Sequence, residues 1–368
     1  MRRVSGWAKS VKVQTLSTPK LKHFPPMSPI LSIIVPSYNM EKYLPKCLGS
    51  LVVAPDQMER LEVLVVNDGS KDRTSEIAHE FAEKWPGTFK VIDKANGNYG
   101  SCINAALPLA TGKYVKVLDA DDWFETAAFA DYLRFLNRVK DIDLVVTDYD
   151  TVDENGCVTK QHKYEFDPTK EFSIEEFVAS NSYLPMHALT YRTSLLQEMG
   201  YRQLEGVSYT DTEWSLIPLF GVHAVRYYSN VIYKYLYGRI GQTMDEAKLA
   251  QSWWMKAEVV LDLVKGVKTF EKIAAPHVAW KLDHKLFSLC ENVYCGGVFG
   301  NRGCVVNLDL NDFDHRLKVL SPDFYESLSR VIYSRRLPYH YVRAWRNQSV
   351  LFPMMKRVCR LYSALFCG

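Results

Sequence analysis

Residues 113–123 read Lys-Tyr-Val-Lys-Val-Leu-Asp-Ala-Asp-Asp-Trp, a short run of strand-forming residues that ends in three carboxylates beside a tryptophan. The carboxylates are those of Asp119, Asp121 and Asp122. Carboxylates this close together raise one another's pKa, so a fold tolerates them at a strand end mainly when a cation shares the site. Their oxygen atoms suit a hard divalent ion, Mg²⁺ or Mn²⁺. The alternative is an Asp-rich turn that caps a helix beginning near Phe124, because aspartate is a good N-cap residue.

The sequence around this stretch alternates between two patterns. Five apolar runs rich in Val, Ile and Leu have the length of strands, and four segments between them have the spacing of amphipathic helices. This alternation is typical of βαβ units, so we expect an α/β fold with a mixed, mostly parallel sheet flanked by helices. Strands of this composition are usually covered on both faces. The predicted strands are 31–35, 61–66, 89–92, 114–118 and 144–147, and the predicted helices are 41–53, 72–85, 99–110 and 125–139.

Polar and glycine-rich residues follow four of the predicted strands. In open parallel sheets, ligands bind beyond the carboxyl ends of the strands. A single turn of this kind is also what an ordinary loop contains, since Asn, Asp, Gly and Ser are common loop residues. Four such turns in succession favour a binding site along one edge of the sheet. The turns are Pro36-Ser37-Tyr38-Asn39, Asn67-Asp68-Gly69-Ser70, Lys94 to Gly100, and Asp119-Ala120-Asp121-Asp122.

Composition argues against several classes of protein. The chain of 368 residues carries a formal net charge of +3, which is too small to indicate nucleic-acid binding without a clustered basic face or a binding motif. No apolar run approaches the roughly 20 residues that span a bilayer, and the N-terminus has no pattern of a secretion signal. We therefore expect a cytoplasmic protein, either free or peripheral at the inner face of the plasma membrane. Its eight scattered cysteines lack paired CxxC spacing and are expected to be reduced.

Three regions can be distinguished along the chain. Residues 1–30 contain no acidic residue and predict a flexible basic arm. Residues 31–245 hold the alternating strands and helices, and residues 246–368 predict helices alone. Near the C-terminus an apolar helical stripe has basic residues beside it. Such a stripe more commonly packs on the rest of the protein or on a second subunit. The alternative is an amphipathic helix that lies on an anionic membrane. The stripe consists of Leu351, Met355, Val358, Tyr362 and Leu365.

The segment from about Leu31 to Thr243 resembles the family 2 glycosyltransferases of the GT-A fold. The resemblance rests on five elements in order: LSIIVPSYNMEKYLPKCLGSL, LEVLVVNDGSKDRT, KANGNYGSCINAAL, LDADDW and YTDTEW. Each is a weak signal alone, and their order makes the resemblance specific. It implies an enzyme that moves a sugar from a nucleotide-sugar, with a UDP-sugar as the expected donor, to a hydroxyl of a glycan, lipid-linked or polymer acceptor. It also implies Mn²⁺ or Mg²⁺ as cofactor and inversion at the anomeric carbon.

The same resemblance implies a nucleotide site built from the first three turns. Asp68 would accept a hydrogen bond from the N3–H of uracil, while Pro36 and Tyr38 would frame the base and the ribose. A base without that donor would leave a buried acceptor unpaired, at a cost of about 1–3 kcal/mol. Lys94 and Asn98 would lie against the nucleotide or the donor sugar.

At the fourth turn, the resemblance assigns Asp119 to the ribose or the donor sugar and Asp121 to the cation that bridges the diphosphate. Such a cation neutralises charge on the departing nucleotide, which is Lewis-acid catalysis. Asp122 and Trp123 are expected to shape the sugar pocket or to cap the following helix.

The reaction also requires a base that takes the proton from the attacking hydroxyl. Asp211 in YTDTEW matches the catalytic aspartate of the family, but the residue before it is threonine where the family usually has glutamate. Glu213 is therefore the reserve candidate, and both acids also suit the first turn of a helix. Arg239 would bond the diphosphate through its planar guanidinium, or lie on the surface. His187 and His223 have no partner that the sequence identifies, and we expect both to be structural.

Two other functions share parts of this pattern. A sugar nucleotidyltransferase has a related sheet and a metal, but it would carry a Gly-rich, Arg-containing loop after its first strand, and PSYNMEKY contains no glycine. A non-catalytic protein that only binds a sugar-nucleotide is the second alternative. The chain keeps Asp68, Asp119, Asp121 and Asp211, which argues for an enzyme.

Overall fold

The structure, a computed structural model, describes residues 28–179, 184–239, 246–270, 276–300 and 305–366. Most of the predicted N-terminal arm therefore lies outside the described residues. Within these ranges ten strands form one sheet. The strands are β1 (Leu31–Ser37), β2 (Leu61–Asn67), β3 (Phe89–Asp93), β4 (Tyr114–Val117), β5 (Trp123–Phe124), β6 (Leu144–Val152), β7 (Val158–His162), β8 (Glu171–Ser173), β9 (Leu189–Arg192) and β10 (Ala224–Leu236).

The sheet is mixed, and its first half is parallel. The strand order is β3-β2-β1-β4-β9-β6-β10-β5, with β7 beside β6 and β8 beside β10. β3, β2, β1 and β4 pair in parallel, and so do β6 and β10. β9 lies antiparallel between β4 and β6. Every residue of β1 and β2 is buried, which confirms the expectation of an α/β fold with strands covered on both faces.

Fifteen α-helices lie in the same described ranges. They are α1 (Leu44–Gly49), α2 (Pro55–Met58), α3 (Thr74–Lys84), α4 (Asn98–Ala106), α5 (Thr126–Arg138), α6 (Ile174–Ala179), α7 (Thr193–Glu198), α8 (Asp211–Leu216), α9 (Glu246–Gln251), α10 (Trp253–Phe270), α11 (Pro276–Phe299), α12 (Leu310–Leu320), α13 (Pro322–Ser327), α14 (Tyr341–Arg346) and α15 (Phe352–Phe366).

One helix is shorter than the sequence predicts. The apolar spacing indicates residues 41–53, whereas α1 begins at Leu44 and ends at Gly49. The chain before it is hydrogen-bonded to the turn that follows β2, because the N–H of Glu41 donates to Asp72 Oδ2 at 3.0 Å. This contact holds the turn after β1 beside the turn after β2, where the polar residues of both are needed.

After residue 246 the described chain is helical, as predicted. α10 packs against α11 and α12, and α11 packs against α6. Buried side chains of these helices, such as Val260 and Leu286, belong to the same continuous apolar core as the sheet. Among the described helices, none has a stretch long and apolar enough to cross a membrane.

Candidate active site

The carboxyl ends of β1, β2 and β4 open into a cleft with a volume of about 530 Å³. Parallel pairing of these strands brings their ends together, as the turn pattern predicts. The start of α8 and the chain after β10 also contribute to the walls. Eight of the predicted site residues line the cleft: Pro36, Tyr38, Asp68, Asn98, Asp119, Asp121, Asp211 and Arg239.

Asp68 lies just beyond β2 and is only 2% exposed. Its Oδ1 accepts hydrogen bonds from Lys94 Nζ at 2.6 Å and from the N–H of Gly97 at 2.9 Å. Lys94 Nζ also donates to Ser101 Oγ at 2.8 Å. The bonds to this carboxylate from described residues all reach Oδ1, which leaves Oδ2 available to a ligand. Lys94 therefore lies behind Asp68 and fixes its orientation.

Two asparagines shape the turns at this end of the cleft. Asn39 and Asn98 have φ values of 53° and 65°. This left-handed region is uncommon for residues other than glycine, and asparagine is enriched there. Asn98 begins α4 and lines the cleft. Tyr38, next to Asn39, is 45% exposed, so its ring is accessible to a ligand.

Asp119 and Asp121 follow β4 and contact different partners. The hydroxyl of Tyr99 donates to Asp119 Oδ1 at 2.8 Å. Burial, together with the charge of Asp121, raises the pKa of Asp119 to about 7. Asp121 forms an ion pair with Arg239, whose Nε lies 2.6 Å from Oδ2, and the two side chains are 14% and 12% exposed. The guanidinium thus holds the carboxylate that the resemblance assigns to the cation.

Asp122 has a structural position. It is 1% exposed, and its Oδ2 accepts a hydrogen bond from the hydroxyl of Tyr233 at 2.6 Å. Its Oδ1 accepts the N–H of Leu236 at 2.7 Å. The prediction that it caps the next helix is wrong, because α5 has no side-chain cap and both oxygens of Asp122 are bonded to β10. Trp123 lies under the ammonium group of Lys46, 3.0 Å from the ring centroid.

The two candidate bases occupy different surroundings. Asp211 is the first residue of α8 and lines the cleft, and desolvation by the surrounding protein raises its pKa to about 6. Glu213 is 2% exposed, and its Oε2 accepts the N–H of Leu204 at 2.9 Å. Burial raises the pKa of Glu213 to about 8. Since Glu213 is not among the lining residues, Asp211 is better placed to accept a proton from a bound ligand.

His187 is a cleft residue to which the sequence analysis assigned no site role. It lies in the short turn before β9, and its ring stacks on Tyr235 with centroids 4.4 Å apart. Burial lowers its pKa to about 3, so the ring stays neutral, the form that binds metals. Its Nδ1 is buried and has no hydrogen-bond partner among the described residues. One atom each from His187, Asp119 and Asp122 fall within 4.8 Å of one another.

These residues fit a divalent cation. Carboxylate oxygens suit Mg²⁺ and Mn²⁺, and imidazole is a usual ligand of transition metals. Asp121 belongs to the same loop, residues 119–122, which we call the DADD loop. A cation bound there would compete with Arg239 for Asp121, because both are positive.

A buried lysine fixes the turn that carries His187. Lys116, in the middle of β4, has no exposed surface. Its Nζ donates to the carbonyl oxygen of His187 at 2.7 Å and to that of Leu189 at 3.2 Å. Burial lowers the pKa of Lys116 to about 7. These bonds hold the antiparallel β9 against β4 and place the imidazole at the cleft.

Residues 32–199 match the sequence profile of Glycosyl transferase family 2. They form a family 2 glycosyltransferase domain. The family 2 domain contains β1 to β4, the DADD loop and His187, and it ends before Asp211. The match confirms the resemblance over these residues, which include the first four of its five elements.

Known proteins extend this comparison. The uncharacterized glycosyltransferase MG025 homolog of Mycoplasma pneumoniae is 38% identical over 102 residues, 27% of this chain and 34% of that protein. The minor teichoic acid biosynthesis protein GgaB of Bacillus subtilis is 35% identical over 115 residues, 31% of this chain and 13% of GgaB. The chain thus spans about a third or less of these relatives. The crystal structure of residues 1–349 of S. aureus TarS with UDP-GlcNAc has a TM-score of 0.66 and 21% identity, covering 91% of each chain, which confirms the GT-A type fold.

Proposed function

We propose that the chain is an inverting, metal-dependent glycosyltransferase. It moves a sugar from a nucleotide-sugar, with UDP as the expected nucleotide, to a hydroxyl of a glycan, lipid-linked or polymer acceptor in cell-surface polysaccharide synthesis. The observation that carries the proposal is that Asp68, the DADD loop and Asp211 reach one cleft from three separate segments of the chain. A base-reading acceptor, cation ligands and a proton acceptor are the groups that this reaction requires.

The nucleotide would bind at the Asp68 end of the cleft. The Oδ2 of Asp68 accepts the N3–H of uracil, and the exposed ring of Tyr38 lies against the base or the ribose. Lys94 keeps the carboxylate oriented through the hydrogen bond to Oδ1, so the acceptor needs no rearrangement when the base arrives. TarS was solved with UDP-GlcNAc, and this supports UDP-GlcNAc as the first donor to test.

Asp211 would act as the base. It takes the proton of the acceptor hydroxyl while that oxygen forms a bond to the anomeric carbon. The bond from this carbon to the nucleotide breaks on the opposite face, so the configuration inverts. With a pKa of about 6, most of the Asp211 carboxyl is ionised at neutral pH. This pKa is also close to the operating pH, where a general base is most effective.

A divalent cation, when bound, would neutralise the charge that develops on the departing diphosphate. Asp119 and Asp121 are the acids that would hold it, and His187 offers a neutral nitrogen beside Asp119. Arg239, once separated from Asp121, would bond phosphate oxygens through its planar guanidinium. The name of GgaB refers to a teichoic acid, and this supports a cell-surface polymer as the acceptor class.

The test is release of UDP from a panel of UDP-sugars, with Mn²⁺, with Mg²⁺ and with a chelator. We expect slow release to water in the presence of the cation and loss of release in the Asp211→Asn variant. Asp93→Asn is the control, because Asp93 is the last residue of the neighbouring strand β3 and accepts a hydrogen bond from Asn67 at 2.7 Å outside the cleft. Pyrophosphate formed from a nucleoside triphosphate and a sugar phosphate would instead identify a nucleotidyltransferase. A rise in melting temperature with UDP, without release, would identify a binding protein.

A further inference from the structure

Helix α15 has one face against the rest of the protein. Cys359 is fully buried there, and its carbonyl oxygen accepts a hydrogen bond from the hydroxyl of Tyr333 at 2.9 Å. The ring of Tyr333 also meets that of Tyr362, with centroids 6.3 Å apart. Packing on the protein, which the sequence favoured, therefore accounts for one side of the helix.

A second face of the same helix carries apolar side chains in solvent. Four side chains of the predicted stripe are described, and they are divided between the two faces: Met355 and Tyr362 are partly buried, whereas Leu351 and Val358 are exposed. The side chain of Leu365 lies outside the described part of the chain. The exposed residues recur every three or four positions, which is the spacing of one helical face. Their exposed fractions are 60% for Leu351, 55% for Met354, 39% for Val358 and 65% for Leu361. Leu351 immediately precedes α15, and Val350 before it is 96% exposed.

The chain around this face is strongly basic. From residue 327 to residue 368 the sequence contains no Asp or Glu, and it contains eight Lys or Arg. Arg346 is held in a largely buried ion pair with Asp314 at 2.7 Å. α14 packs on the turn at 328–330 and on α15, so these charges belong to one part of the molecule. The exposed ones are Arg330, Arg335, Arg336, Arg343, Arg357 and Arg360.

We propose that the exposed face of α15, together with Arg357 and Arg360 on the same helix, docks on an anionic phospholipid bilayer. An amphipathic helix with a basic polar side lies in the plane of the interface, with its apolar side chains at the acyl boundary. Anionic headgroups attract each Lys or Arg near the surface. α15 has 15 residues, which at about 1.5 Å per residue is shorter than a hydrocarbon core of about 30 Å. The helix therefore lies along the bilayer.

Other occupants fit this face less well. A second copy of the chain in a two-fold contact would bring the same basic surface against itself. The N-terminal 30 residues contain no acid and six Lys or Arg, so their charge also opposes binding. A nucleic acid would satisfy the arginines but would leave the apolar stripe in water.

Co-sedimentation of the full chain with vesicles tests the proposal. One set of vesicles contains phosphatidylcholine alone, and the other is an equal mixture of phosphatidylcholine and phosphatidylglycerol. We expect binding to the mixed vesicles that weakens as salt increases, since salt screens exposed charges. Leu351→Ser with Leu361→Ser should lower the partition coefficient at least about tenfold. Arg357→Gln with Arg360→Gln should lower it roughly 25-fold, about fivefold for each charge.

Two matched controls use exposed residues elsewhere. Val319→Ser removes an apolar side chain that is 69% exposed on α12, and Lys160→Gln with Lys163→Gln removes two exposed charges at β7 and just beyond it. Both should bind as the native chain does. Circular dichroism melting confirms that every variant is folded. Vesicle binding is measured without nucleotide, so its outcome is independent of the proposed activity.

Three results would overturn the proposal. The native chain could partition equally into both kinds of vesicle, or the α15 variants could bind as the native chain does. The α15 variants could also abolish self-association in sedimentation velocity while vesicle binding is unchanged, and the face would then be a contact between copies.

Discussion

Replacing Asp68 by asparagine tests base recognition with almost no change in side-chain size. The native Oδ1 accepts bonds from Lys94 at 2.6 Å and from Gly97 at 2.9 Å. The amide oxygen of asparagine should take this place, because an amide nitrogen cannot accept these hydrogen atoms. The amide nitrogen then stands where Oδ2 was, and it presents a donor to the donor N3–H of uracil.

The size of the effect follows from that mismatch. Loss of the hydrogen bond, with one buried donor left unpaired, costs about 1–3 kcal/mol. The dissociation constant of UDP should therefore rise roughly 5- to 150-fold. Cytosine has an acceptor at N3, so the asparagine amide can donate to it, and CDP should gain relative to UDP. Removal of the charge beside Lys94 also weakens the turn, but this affects both nucleotides alike and cancels in their ratio.

Isothermal titration calorimetry with UDP and CDP, at a fixed cation concentration, measures that ratio. The control is Asp93→Asn, which removes a carboxylate that accepts Ser75 Oγ at 2.8 Å outside the cleft, and it should leave the ratio unchanged. An Asp68→Asn protein that melts normally and keeps the native preference for UDP would show that this carboxylate does not read the base.

Three more predictions concern the base, the guanidinium and a close backbone contact. Asp211→Asn should lower kcat by about 10²–10⁴-fold with an unchanged dissociation constant for the donor. In the native chain the rate should fall tenfold per pH unit below about pH 6, because the base must be ionised and the pKa of Asp211 is about 6; an inflection near 8 would point to Glu213 instead. Arg239→Met should tighten Mn²⁺ binding in the absence of nucleotide, measured by calorimetry, because the guanidinium no longer competes for its carboxylate; equal or weaker binding would contradict this. Gly100→Ala should lower the free energy of unfolding, measured by denaturant titration, by about 1–3 kcal/mol. The reason is that the added Cβ would lie 2.1 Å from the backbone carbonyl oxygen of Leu204. Gly49→Ala is the control, because its Cβ would meet nothing within 4 Å and the change should be tolerated.

Much of the parallel half of the sheet could be predicted from local sequence. The apolar runs of β1 to β4 are nearly unbroken, and each is followed by a polar turn that ends the strand. The position of β9 could not be predicted in this way. It enters between β4 and β6, and the contact that holds it joins Lys116 to the carbonyl oxygen of His187 across 71 positions. The spacing of apolar and polar residues within either segment does not predict that contact.

The candidate site, too, could be predicted only in part from the sequence. Short sequence motifs contain Asp68, the DADD loop and Asp211, so the residue types and their order predict a binding site at the edge of the sheet. The ion pair of Asp121 with Arg239 joins positions 118 residues apart, and only the folded chain brings them together. The C-terminal stripe is a similar case, because helical spacing identifies an apolar arc without saying which part of it meets a neighbour.

The double attachment of Asp122 to β10 has a practical consequence for anyone who wishes to redesign donor choice. The carboxylate joins the DADD loop to Tyr233 and Leu236 by two hydrogen bonds, so a displacement of one segment is expected to displace the other. Changes introduced along that end of β10 will disturb the acids beside it. Ser208 and Tyr209 line the same cleft from a different segment of the chain. Substitutions at these two positions can change the shape of the cleft while the DADD loop and β10 keep their contacts.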